Sequence, residues 1–166
     1  GLARSLKGFT LTPGADFEVV TLSFSPTEGP ELAKAKKSNL LDLYGRKAEG
    51  QAGWHFLTGS EAEIRRVTEA VGFRYRWDEL QKQYAHATGI VVVTPEGAIS
   101  RYFFGVEYAP KELRLGLSEA SEGKVGGDGG LALGEALHAL TGVVAVARLG
   151  EPAEEGVVAG LAHHER

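Results

Sequence analysis

The sequence predicts one α/β domain in which helices flank a central mixed sheet, and three observations predict it. A chain of 166 residues, 43% of them hydrophobic, is long enough for one buried core and too short for two. β-Branched apolar runs alternate with segments of helical period along most of its length. The last two apolar runs are joined by Pro95-Glu96-Gly97, a tight reversal that makes them antiparallel neighbours. Alternation followed by a hairpin and a closing helix describes a sheet that is parallel at first and antiparallel at one edge.

The elements follow in order. Residues 1–6, Gly-Leu-Ala-Arg-Ser-Leu, read as the inside of a helix, and the chain contains no methionine. It is therefore expected to be a processed, excised or truncated product. Phe17 to Phe24 (FEVVTLSF) is β-branched and aromatic, closes on Ser25-Pro26 and suits a mostly buried central strand. Pro30 to Tyr44 is an amphipathic helix: Leu32, Ala35, Leu40 and Leu43 follow its period, Pro30 occupies the first turn, Gly45 follows the end, and lysines populate the outer face. A short strand, Gly53 to Leu57, leads to Ser60-Glu61-Ala62-Glu63, a capping box opening a helix with Ile64, Val67 and Val71 inward and Gly72 as its stop. Gly89 to Thr94 and Ala98 to Gly105 form the hairpin, and Pro110 starts a helix carrying Leu113, Leu117 and Ala120.

Beyond Gly123 the character changes, with six glycines within twelve residues. Residues 1–123 are read as the domain, 124–130 as a flexible glycine-rich linker, and 131–166 as a C-terminal segment that could hold a helix around Leu131 to Leu140 and a strand at Val143 to Ala147.

Bulk chemistry excludes several function classes. A net charge of −4 with 24% charged residues offers no basic surface, so no nucleic-acid partner is expected. The absence of cysteine removes disulfides, thiolate metal sites and cysteine nucleophiles. No apolar run approaches the roughly 20 residues that span a bilayer. Ser60 and Ser118 lack a nucleophile elbow or a spaced base, and the glycines of 126–130 lack the Lys-Ser/Thr of a phosphate cradle. No enzymatic activity and no catalytic residue are expected.

From about Leu11 to Gly123 the chain resembles the Sco/SenC family, carried by the segments FEVVTLSFSPTEGPELAKAKKSNLLDLYG, GWHFLTG and VGFRYRWDELQKQYAHATGIVVVTPEGAISRYFFGVEY. The resemblance implies a thioredoxin-like fold, here with its first strand missing. It implies copper as the cofactor, held in the family by two cysteines of a CxxxC motif and by one histidine just before the hairpin. The matching histidine is His86, the candidate metal ligand; the CxxxC is expected upstream of Gly1. A cytochrome c oxidase subunit is the implied protein partner, and a periplasmic or periplasm-facing, membrane-anchored location is implied. The chain departs from the family at Ser25, where an aspartate is usual before Pro26, and after Gly123, where nothing matches.

Cu(I) prefers thiolates, and imidazole alone grips less, so weak or absent copper binding and no thiol redox activity are expected of this chain. His86 reads either as the third ligand of a copper site or as a histidine at the start of a strand bonded to a backbone carbonyl. His55, between Trp54 and Phe56, is expected to face solvent by the two-residue period of a strand; His138, His163 and His164 are expected to be solvated. The aromatic residues Phe73, Tyr75, Trp77, Tyr84, Tyr102, Phe103 and Phe104 read either as core with alternate members at a rim, or as a docking surface edged by Arg74 and Arg76. Exposure of Trp77 is the observation that favours docking. The alternative function is thus a cysteine-free interaction module. A missing first strand also predicts an open sheet edge, marginal stability or strand-mediated homodimerisation.

Overall fold

The structure, a computed structural model, describes residues 1–86 and 88–126 together with the backbone of 143–147. Its elements are α1 (Leu2–Lys7), β1 (Phe17–Leu22), α2 (Pro30–Tyr44), α3 (Lys47–Gly53), β2 (Trp54–Leu57), α4 (Glu61–Ala70), β3 (Tyr75–Asp78), β4 (Gln83–His86), β5 (Gly89–Val93), β6 (Ile99–Phe104), α5 (Pro110–Ser121) and β7 (Val143–Ala147). The α/β class follows directly from this order.

Among the described residues five strands form one sheet in the order β2-β1-β7-β5-β6, and β3 and β4 form a separate hairpin. β2 runs parallel to β1, and β6 antiparallel to β5, as the alternation and the Pro-Glu-Gly reversal require. Gly97 takes a φ of 85° in that reversal, closed by the Thr94 N–H donating to the Ala98 carbonyl at 2.8 Å. The expected strand at 143–147 is present, and its place corrects one expectation. It lies between β1 and β5, antiparallel to the first and parallel to the second, so the sheet is not simply parallel with one antiparallel edge. Among the described residues the edges of this sheet are β2 and β6.

One face of the sheet carries the main core. Phe17 and Val19 of β1, Trp54 of β2 and Ile90 and Val92 of β5 meet Leu2 and Leu6 of α1, Leu41 and Tyr44 of α2, and Leu113, Leu117 and Ala120 of α5. The last three are the inward residues that the periodicity of α5 predicts. α2 has the predicted limits but a different rotation: Leu41 and Tyr44 face the core while Leu32 and Leu43 are exposed, Leu43 by 59%. A stripe through Leu40, Leu41 and Tyr44 buries an aromatic ring, which outweighs the burial of isolated leucines at the helix start.

Two features have no counterpart in the sequence pattern. α3 follows α2 at once and ends on Gly53, whose backbone lies against Gly14 so closely that a Cβ would collide with it; Gly53 therefore ends a helix, and the strand starts at Trp54. The β3–β4 hairpin lies across the sheet from α1, α2 and α5. Phe103 packs in the main core while its neighbour Tyr102 joins a second cluster around Phe73, as the alternation of side chains along a strand requires.

Of the expected linker, Lys124 and Gly126 are tied to β6: the Ser100 hydroxyl donates to the Lys124 carbonyl at 2.6 Å, and the Gly126 N–H donates to the Ser100 carbonyl at 3.3 Å. Residues 127–130 of the linker, the helix expected at 131–140 and His138, His163 and His164 lie outside the described residues.

Candidate functional site

The site is built by three local structures. Ser60 caps α4 as predicted: its side chain accepts the Glu63 N–H while the Glu63 carboxylate accepts the Ser60 N–H at 2.8 Å. α4 then stops at Gly72, with a φ of 67°, and the Phe73 N–H donates to the Thr68 carbonyl at 2.7 Å. That turn delivers the chain into β3 at a set angle. At the hairpin tip the Asp78 carboxylate accepts the N–H groups of Leu80 at 2.9 Å and Gln81 at 3.0 Å, an Asx-type turn.

The hairpin register opposes Tyr75 to His86 and Trp77 to Tyr84. Phe73, Tyr75 and Trp77 therefore share one face with Tyr84 and His86, and Arg74 and Arg76 point the other way. Phe24, just past β1, sits at the centre of this aromatic face, with ring centroids 5.4 Å from Phe73, 5.1 Å from Tyr75, 5.5 Å from Tyr84 and 4.9 Å from His86. Tyr102 closes the cluster from β6, its hydroxyl donating to the Val71 carbonyl at 3.2 Å. Burial raises the pKa of Tyr75 and of Tyr102 above the ordinary tyrosine value. Between α4 and β3 runs a groove of about 660 Å³, lined by Arg65 and Thr68 on one side, Arg76 and Trp77 on the other, and Tyr75 and Tyr84.

The aromatic residues thus divide. Phe73 is buried, Phe103 belongs to the main core, and Trp77 is 45% exposed; Leu80, at the tip beyond it, is 96% exposed. Phe104 stacks on Tyr102 at 6.1 Å and remains 40% exposed.

His86 ends β4, half-buried, three residues ahead of β5. Its surroundings are aromatic: Phe24 and Phe73 are its ring neighbours. Among the described residues no group of three or more histidine, aspartate or glutamate side chains is arranged to hold a metal ion. His55 corrects its expectation. It lies on the strand face opposite Trp54 and Phe56, but it is half-buried rather than solvated, with Nε2 at 2.9 Å from Oε2 of the buried Glu18. Sequence reading missed Glu18 as a partner; the signal was a lone carboxylate inside the apolar run FEVVTLSF.

No family model, curated protein or solved structure matches the chain.

Proposed function

We propose that the chain is a thioredoxin-like domain of the Sco/SenC type, working in copper handling and cytochrome c oxidase assembly at a periplasmic membrane face. The observation that carries this reading is the position of His86, held by an aromatic shell immediately ahead of the fully buried strand β5 and the β5–β6 hairpin. That is the place at which the resemblance puts the family's histidine ligand. The succession of β1, α2, β2, α4, β5, β6 and α5 agrees in order with the matching segments.

The chain's own donor set limits what it does with copper. The chain has no cysteine, and among the described residues no group of three or more histidine or carboxylate side chains surrounds His86; an imidazole without thiolates suits Cu(II) weakly and Cu(I) poorly. Copper held here would be loosely bound and exchangeable, and no dithiol exists to pass electrons. Copper(II) titration followed by NMR of the histidine rings tests the reading. Selective broadening of the His86 ring at low metal ratios, lost in His86→Ala, supports it. Broadening confined to the other histidines overturns it.

A second reading is favoured by a specific observation, the exposure of Trp77 and Leu80 on the hairpin. In it the scaffold is a cysteine-free interaction module that docks a partner protein through the aromatic surface. Hydrogen-exchange footprinting with a cytochrome c oxidase subunit discriminates: protection confined to 73–86 supports docking there, and protection elsewhere sinks it.

A further inference from the structure

If the hairpin docks a partner, as in the second reading, the groove between α4 and β3 narrows that partner's chemistry, and the choice of occupant rests on that reading. One wall is the Glu61, Arg65, Thr68 stripe of α4 and the other is β3 with its flanking Arg74. Among the described residues β3 has β4 on one side and no strand on the other. An edge of that kind presents alternate backbone N–H and C=O groups to any extended chain laid beside it.

The charges beside that edge are unequal in their engagement. Arg65 is held by Glu61 at 2.9 Å, Lys82 by Glu79 at 2.7 Å, and Asp78 by the backbone of its own turn. Arg74 and Arg76 are exposed, and neither forms an ion pair among the described residues. Glu69, the other carboxylate of the groove, lies at the far end of α4 from Glu61. Three arginines against two glutamates make the groove positive in a chain of net charge −4.

Geometry then dictates the pattern of the occupant. Arg74 and Arg76 are two residues apart and share one face of the strand; Tyr75 and Trp77 share the other. A strand added beside β3 turns its own residues alternately to the same two faces, so acidic side chains meet the arginines and apolar ones meet the rings. We propose that the α4–β3 groove binds an extended segment of a partner protein in which acidic residues alternate with aromatic or β-branched ones, added as a strand to the edge of β3.

The test uses the full chain and three short blocked peptides that alternate valine and phenylalanine with glutamate, with lysine or with serine. Amide and indole NMR shifts and tryptophan fluorescence report binding at low salt. The glutamate peptide is expected to shift residues 74–78 and the Trp77 indole, to leave the buried Trp54 unchanged, and to weaken with added salt. Arg74→Ala with Arg76→Ala should weaken it about tenfold while leaving the circular dichroism melt unchanged, because both side chains are exposed. If the lysine or serine peptide shifts the hairpin as strongly, acidic selection is overturned and docking stands. If no peptide shifts the hairpin, both fall. Hairpin shifts that grow with protein concentration alone make a second copy the occupant and overturn the proposal.

Discussion

Glu18 and His55 show what a single buried pair can decide. A carboxylate inside a sheet is costly unless it is hydrogen-bonded, and His55 supplies the bond from the neighbouring strand. His55→Ala leaves Glu18 buried without that partner, and a loss of about 1–3 kcal/mol is expected. Urea unfolding of the two single variants and the double variant with Glu18→Gln measures the coupling, and additive losses would refute it. Phe24 and Trp77 make the opposite comparison within one cluster. Phe24→Ala removes a ring that touches four others, and should cost about 2–3 kcal/mol, below the range for fully buried phenylalanine because Phe24 is half-buried. Trp77→Ala should change stability by roughly 0.5 kcal/mol or less if the exposed ring serves recognition rather than packing. Equal losses in thermal melts would place Trp77 in the core.

At the scale of elements, punctuation governs what can be read in advance. The start and stop of α4 are legible because its capping box and its glycine are local chemistry, but its inner face is not: Ile64 is buried as expected, while the second buried position is Thr68, with Val67 and Val71 half-buried. Ser60→Ala is expected to cost about 1 kcal/mol and to speed amide exchange in the first turn of α4, which forms one wall of the groove; unchanged exchange would show that Glu63 alone holds that turn. α3 is illegible for the converse reason. Its sequence, KAEGQAG, carries two glycines and no side-chain cap, and intrinsic propensity disfavours it. What holds it is contact: a Cβ on Gly50 would stand within 3.0 Å of the Tyr44 ring. β3 is hidden by charged residues alternating with aromatic ones, and β4 by its short, mixed sequence QYAH. Phe73, Tyr75 and Trp77 do keep a strand period, but only the register with Tyr84 and His86 turns that alternation into one continuous face.

Over the whole molecule, burial of phenols and closure of the sheet set the stability limits. Four of the five tyrosines, Tyr44, Tyr75, Tyr102 and Tyr108, have pKa values raised above 10.0, in each case chiefly by burial. The unfolded chain releases these protons near pH 10 while the folded chain keeps them. Their contribution is therefore complete below pH 10 and is lost as pH rises towards the folded values. Tyrosinate absorbance should lag behind that of free tyrosine until the protein unfolds; complete ionisation with circular dichroism intact would contradict this. β7 has strands on both sides, with Val143 to Val146 in register with both β1 and β5. Val144→Pro should lower stability by on the order of 3 kcal/mol and expose the facing edges of β1 and β5. Sedimentation would then show self-association; a monomer of unchanged urea midpoint would mean that β7 contributes little.

The sequence by itself determined the α/β class, the limits of α2, the capped start of α4, the start of α5, the β5–β6 reversal and the existence of a strand at 143–147. All are written in local periodicity, caps and turns, where cause and effect lie within a few residues. Only the tertiary structure decided which face of α2 turns inward, that β7 enters between β1 and β5, that Glu18 meets His55, and that Phe24 gathers His86 and three aromatic side chains of the 73–84 segment around it. These depend on contacts between residues far apart in the chain, and their energies exist only once the strands have been brought side by side.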